Sequence, residues 1–156
     1  MDDFWKSLTV IVALLAVWIA YRNFAVSRER FRLDLFDKRF KVFEAARHLV
    51  SQALNAGELK RSELWAFRAA VIEKEFLFGD AIVEYLNEMD RHAERVYTLG
   101  IALQPLQVDA ADPAQAAERQ RNQKQFMESI DWVAEQIRQL HTRFAPEMRI
   151  RSRGLL

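Results

Sequence analysis

Hydrophobic and polar positions along the chain fall into two regimes. Residues Ser7 to Tyr21, SLTVIVALLAVWIAY, form a run without charge, flanked by Lys6 and Arg22. From Phe31 onward apolar residues recur at alternating spacings of three and four, the pattern of helices that turn one face to a core. Leu33, Phe36, Phe40, Phe43, Val50 and Leu54 predict a first stripe, interrupted by Arg47, on a helix that ends near Gly57. Arg47 in that register is expected either to reach water or to pair with a glutamate of a neighbouring helix. A second helix over about Ser62 to Phe76 carries Leu64, Trp65, Phe67, Val71, Ile72 and Phe76. Gly79 then suits a helix C-cap, and Asp80 suits the next N-cap. The third helix runs to about Leu103 on Ile82, Leu86, Met89, Ala93, Val96 and Leu103, with Gly100 placed for close packing between helices. Gln104 to Asp112 reads as a loop containing Pro105. Asp112-Pro113 reads as an N-cap followed by the first position of a fourth helix. That helix has the stripe Phe126, Ile130, Val133, Ile137, Leu140 and Phe144, and Pro146 marks its end.

The uncharged run is read as a transmembrane helix. Its fifteen residues rise about 22 Å, short of the roughly 30 Å of bilayer hydrocarbon. Counting Lys6 and Arg22 as residues that extend their charges to the headgroups lengthens the segment to Phe4–Val26. Trp5 and Lys6 then lie at one interface, and Trp18, Tyr21 and Arg22 toward the other. The acidic start Asp2-Asp3 and the bulky Tyr21-Arg22-Asn23-Phe24 argue against a cleaved signal peptide. Basic residues after the run (Arg22, Arg28, Arg30, Arg32, Lys38, Arg39 and Lys41) place the remainder in the cytoplasm and the N-terminus outside. The expectation is an all-α protein of the bacterial inner membrane. Residues 1–26 form a single-pass anchor, 27–148 an antiparallel, coiled-coil-like four-helix bundle, and 149–156 a basic tail whose Arg149, Arg151 and Arg153 meet the membrane surface.

The segment Leu33-Asp34-Leu35-Phe36-Asp37-Lys38-Arg39-Phe40 resembles a group of uncharacterised bacterial proteins with an LDLFDKRF-like stretch. The resemblance continues in Phe76-Leu77-Phe78-Gly79-Asp80 and in Phe144-Ala145-Pro146-Glu147-Met148-Arg149-Ile150. It implies a bacterial, membrane-anchored helical protein. It transfers no activity, ligand or site residue.

Composition narrows the chemistry. Of 156 residues, 51% are hydrophobic and 29% charged, which is a globular ratio and not that of a disordered chain. Four glycines and three prolines are too few for the turns of a β-sandwich or for a glycine-rich phosphate loop. The absence of cysteine excludes disulfides, thiolate-bound metals and thiol nucleophiles. Lys and Arg total 23 against 22 Asp and Glu, so the chain lacks the basic excess of a general nucleic-acid binder.

Two glutamate–histidine pairs, Glu44 with His48 and Glu88 with His92, raise a carboxylate-bridged metal site inside a bundle. Such sites use Glu-x-x-His, and the spacing here is one residue longer, so both pairs also read as solvated i,i+4 contacts. His141 has no acidic partner three or four residues away and sits near a helix C-terminus, where a charged imidazolium is favoured. Ser7, Ser27, Ser51, Ser62, Ser129 and Ser152 occupy no nucleophile elbow and no Ser-x-x-Lys element. Seven acidic residues between Glu73 and Glu94 (Glu73, Glu75, Asp80, Glu84, Glu88, Asp90 and Glu94) form either a solvated face or a docking surface. Trp65, Phe67, Phe76 and Phe78 are expected to pack a core or to form a peptide groove.

These features point to a membrane-anchored protein-interaction module, an adaptor or a regulatory or structural subunit, with no cofactor and no enzymatic activity. Its expected partners are the lipid bilayer and another protein, including a second copy meeting it along Ala13, Ala16 and Ala20. Neither nucleic acid nor a small-molecule substrate is indicated. Two alternatives stand beside this: a metal-dependent enzyme built on Glu44, His48, Glu88 and His92, and an effector that perturbs lipid.

Overall fold

The computed structural model describes the backbone of residues 2–104 and 113–148, and the side chains of 14–24, 26–104 and 113–148. Every element among the described residues is a helix: α1 Asp2–Ala56, α2 Arg61–Ala70, α3 Lys74–Leu77, α4 Asp80–Leu103 and α5 Pro113–Met148. The all-α expectation holds. The chain divides into two units, Met1–Asp37 and Lys38–Leu156.

The first unit is the leading part of α1. The anchor reading is corrected here, because among the described residues no helix is long and apolar enough to cross a membrane. The expected span had to borrow the charged Lys6 and Arg22 to make up its length, since the uncharged run is only fifteen residues. The inner-membrane placement, the single pass and the inside–outside orientation fall with it.

The second unit is a helical bundle. Its core takes Val42, Ala46, Leu49, Val50 and Ala53 from α1, Leu64 and Phe67 from α2, and Ile82, Tyr85, Leu86, Met89, Ala93 and Val96 from α4. Val133, Leu140 and Phe144 come from α5, Leu77 from α3, and Leu59, Val71 and Phe78 from the connections between helices. Neighbouring helices run antiparallel. Along α4 and α5, Tyr85 meets Phe144, His92 meets Trp132, and Arg119 donates to the Leu103 carbonyl at 3.5 Å. Along α1 and α5, Phe43 packs edge-on to Phe144 and Arg39 ion-pairs with Glu147 at 3.6 Å. Arg39 also donates to the Leu77 carbonyl at 2.8 Å, and its guanidinium lies 5.7 Å from the Phe78 ring centre. One side chain thereby ties three helices together at one end of the bundle.

The stripes shift where small or polar residues enter them. On α1 the buried face is Val42, Ala46, Leu49, Val50 and Ala53, while Phe40 is exposed and Phe43 and Leu54 are half-buried. Ala46 and Ala53 let helices approach closely, and a stripe drawn through the large residues passes beside them. Arg47 is exposed and reaches water. On α5, Ser129 and Gln136, each 2% exposed, take the places read as Ile130 and Ile137, and Ile137 is 52% exposed.

The expected second helix is two. The Val71 amide caps α2 on the Phe67 carbonyl, and a turn separates it from the four-residue α3. The break changes the register, so Leu77 and Phe78 turn inward while Trp65, Ile72 and Phe76 point to solvent, Phe76 at 88% exposure. Gly79 is the N-cap of α4, with φ −76° and ψ 166°, and Asp80 is the first helical residue. Gly57 does what the sequence suggests: at φ +65° it ends α1 in the left-handed conformation that a side chain resists. Pro113 opens α5. Pro146 lies inside the helix, which runs past the expected stop. Pro105 and Asp112 fall outside the described residues.

Candidate functional site

Helical spacing on α4 places Tyr85, Glu88, His92 and Arg95 along one face, at steps of three, four and three. On α5 the same periodicity aligns Gln125, Ser129, Trp132 and Gln136. The two faces meet in the antiparallel seam. There the imidazole of His92 stacks on the Trp132 indole, with centroids 4.1 Å apart and planes 5° from parallel. Tyr85 lies 6.5 Å from Trp132 and 6.4 Å from Phe144, and the Arg143 guanidinium sits 4.5 Å over the Tyr85 ring.

Polar atoms are enclosed in this seam without partners. The Tyr85 hydroxyl, His92 Nδ1 and Gln136 Oε1 are buried and make no hydrogen bond. Gln136 uses only its amide nitrogen, which donates to the Trp132 carbonyl at 2.8 Å. Such orphaned groups are few in folded proteins, and three along one seam mark it as unusual. Burial pushes the Tyr85 hydroxyl up to about 12, partly opposed by the Arg143 charge. Burial also lowers the His92 pKa; Arg95 and Arg91 add to this, and Glu88 works against it. The neutral form of the imidazole is favoured by this.

Beside His92 the seam opens into a hollow of about 280 Å³, lined by His92, Arg95, Gln125, Glu128 and Ser129. It offers a cation, a carboxylate, an amide, a hydroxyl and a neutral imidazole. This set can bind a small polar solute or move a proton. Sequence reasoning singled out His92 as half of a metal pair and passed over Tyr85, Trp132 and Gln136. Periodicity aligns 85, 88 and 92 on one helix and 125, 129, 132 and 136 on another, but does not pair the two faces.

The other sequence candidates scatter. Among the described residues no three histidine, aspartate or glutamate side chains come together where a metal could be held, so Glu44, His48, Glu88 and His92 do not assemble. Glu44, Arg47, His48 and Ser51 line an open hollow of about 460 Å³ on α1, where His48 Nε2 lies 3.2 Å from Gln52 Nε2. His141 is exposed. The acidic stretch is largely consumed by internal ion pairs: Glu73 with Lys38 at 2.8 Å, Glu84 with Arg91 at 2.9 Å, and Asp90 and Glu94 with Arg68. Arg68 grips Asp90 with both arms, at 2.7 and 3.1 Å, and these carboxylates raise its pKa.

Of the residues expected at membrane interfaces, Trp18, Tyr21 and Arg22 are exposed on α1, with the Arg22 guanidinium 5.2 Å over the Trp18 ring. The side chains of Trp5, Lys6 and Ala13, and all of Arg149, Arg151 and Arg153, lie outside the described residues. No protein-family model, no curated protein and no solved structure matches the chain, and so no site or activity is carried to it from a relative.

Proposed function

We propose that the protein works by binding another protein, as an adaptor, regulatory or structural subunit, and that the leading part of α1 is the binding element. One observation carries the reading. From Leu14 to Phe24 the helix exposes large apolar residues on every side, with Leu14 at 66% and Phe24 at 67%, and with Leu15, Val17, Trp18, Ile19 and Tyr21 between them. A helix that is apolar all round is stable in water only when something covers it. Another helix is the fitting cover, since Ala16 and Ala20 lie four residues apart and allow close backbone approach. Self-association is the simplest version.

The test is site-specific photocrosslinking from position 15 or 18 of the full chain in its native cells. A discrete adduct, either with a second copy or with one reproducible protein, is the expected result. Adducts with lipid alone, or none above background, reject the proposal.

A further inference from the structure

The hollow between α4 and α5 holds chemistry that a binding helix at the other end of the chain does not use. We propose that it is a binding site for a small zwitterion of amino-acid size. Its charges argue for the class. Arg95 from α4 and Glu128 from α5 line the same space, so a solute with one charge would satisfy one wall and repel the other. A zwitterion places its carboxylate on Arg95 and its ammonium on Glu128, each through charge-assisted hydrogen bonds. Glu128 is free to serve, since its own ion pair is a loose i,i+4 contact with Lys124 at 4.0 Å on an exposed face.

The rest of the lining is polar as well, with Gln125 exposed beside the two charges. Ser129 is buried and still borders the hollow. His92 is braced flat on Trp132, which fixes the orientation of its ring at the wall of the hollow. A neutral imidazole there does not repel an ammonium group, whereas a charged one would. The volume of about 280 Å³ sets the size. At the roughly 30 Å³ that a water molecule occupies in the liquid, it holds on the order of nine or ten non-hydrogen atoms, the range of the polar amino acids.

The test uses the full chain and the standard amino acids as probes, titrated by calorimetry and followed by NMR of the His92 ring, whose signals the Trp132 indole shifts. Sodium acetate and methylammonium chloride serve as single-charge controls. A subset of polar amino acids should saturate with Kd below about 1 mM and move the His92 signals, while each control binds at least about tenfold more weakly. Arg95→Gln and Glu128→Gln should each weaken binding about tenfold or more with helix content and melting temperature unchanged, since both side chains are exposed. No shift with any amino acid at about 10 mM overturns the proposal, as does equal binding of acetate or affinity that survives both substitutions. Because both variants lie within Lys38–Leu156, the outcome is independent of what the leading part of α1 binds.

Discussion

The imidazole of His92 lies flat on the indole of Trp132, 4.1 Å between centroids and 5° from parallel, and this stack joins α4 to α5 at the centre of their seam. Burial in this seam also lowers the pKa of the ring. The neutral ring is favoured because burial and the nearby Arg95 and Arg91 outweigh the attraction of Glu88, and from α5 the charged Glu128 lines the same hollow.

Stability should therefore depend on pH through His92. In the unfolded chain the imidazole takes up its proton near 6.5; in the folded protein it does so only at lower pH. Unfolded molecules bind more protons in that window, so the contribution is fully present above about 6.5 and is lost as pH falls toward the folded-state pKa. Urea denaturation of the protein and of His92→Phe between pH 7.5 and 5 measures this. The protein should lose stability more steeply than the variant, and parallel pH profiles would show that the ring is not held neutral.

Removing the Tyr85 hydroxyl should help. It is buried without a hydrogen-bond partner, so Tyr85→Phe deletes a desolvated polar group while keeping the ring beneath Arg143 and against Phe144. A gain of about 1 kcal/mol is expected from denaturant unfolding. The same hydroxyl makes alkaline stability fall between its unfolded value of 10 and the folded value of about 12, because over that range only the unfolded chain releases the proton. In Tyr85→Phe this component of the alkaline loss should vanish. A variant less stable than the parent by 1 kcal/mol or more would mean that the hydroxyl has a partner.

The glycines of α1 and α4 should respond oppositely to alanine. A Cβ on Gly100 would stand 3.7 Å from Phe126 Cε2, an ordinary contact, and the residue is helical, so Gly100→Ala should stabilise by about 0.5–1 kcal/mol. Close approach does not require a glycine there, contrary to what its place in the stripe suggests. At Gly57, φ is +65°, and Gly57→Ala should cost about 1 kcal/mol even though the space is open. Thermal denaturation of the two variants gives the signs directly.

Phe144 is fully buried where Phe43, Phe78 and Tyr85 converge, each within 6.4 Å of its ring centre. Phe144→Ala should cost about 3–5 kcal/mol by emptying that space. Phe76→Ser, on the solvent side of α3, should stay within about 0.5 kcal/mol of the parent. Equal losses at the two positions would contradict the inward turn of Phe78 after the α2–α3 break.

Particular residues explain how far the sequence could be read. Long, strongly periodic elements were legible: the stripe Ile82, Leu86, Met89, Ala93 and Val96 is buried on α4 as its spacing demands. Registers failed where a small or polar residue does the work of a large apolar one, as with Ala46 and Ala53 on α1 and Gln136 on α5. The break after Ala70 had no proline or glycine to announce it, and its cost was to mistake Trp65, Ile72 and Phe76 for core. The seam was hidden for another reason. His92 is recognisable as chemistry only once Trp132, forty residues away, lies beneath it, and no local pattern records that pairing. The opening apolar run was plain in the sequence, but its length was stretched to fit a bilayer.

The central claim is that another protein covers the apolar leading part of α1. Sedimentation velocity of the purified full chain, compared with a Leu15→Glu/Trp18→Glu variant, tests the self-association form of it most directly. The protein should sediment as a concentration-dependent oligomer and the variant as a monomer, with identical unfolding of the Lys38–Leu156 unit in both. A full chain that stays monomeric across the concentration range with those residues bare to water, or an oligomer that survives the two charges unchanged, would contradict self-association through this helix.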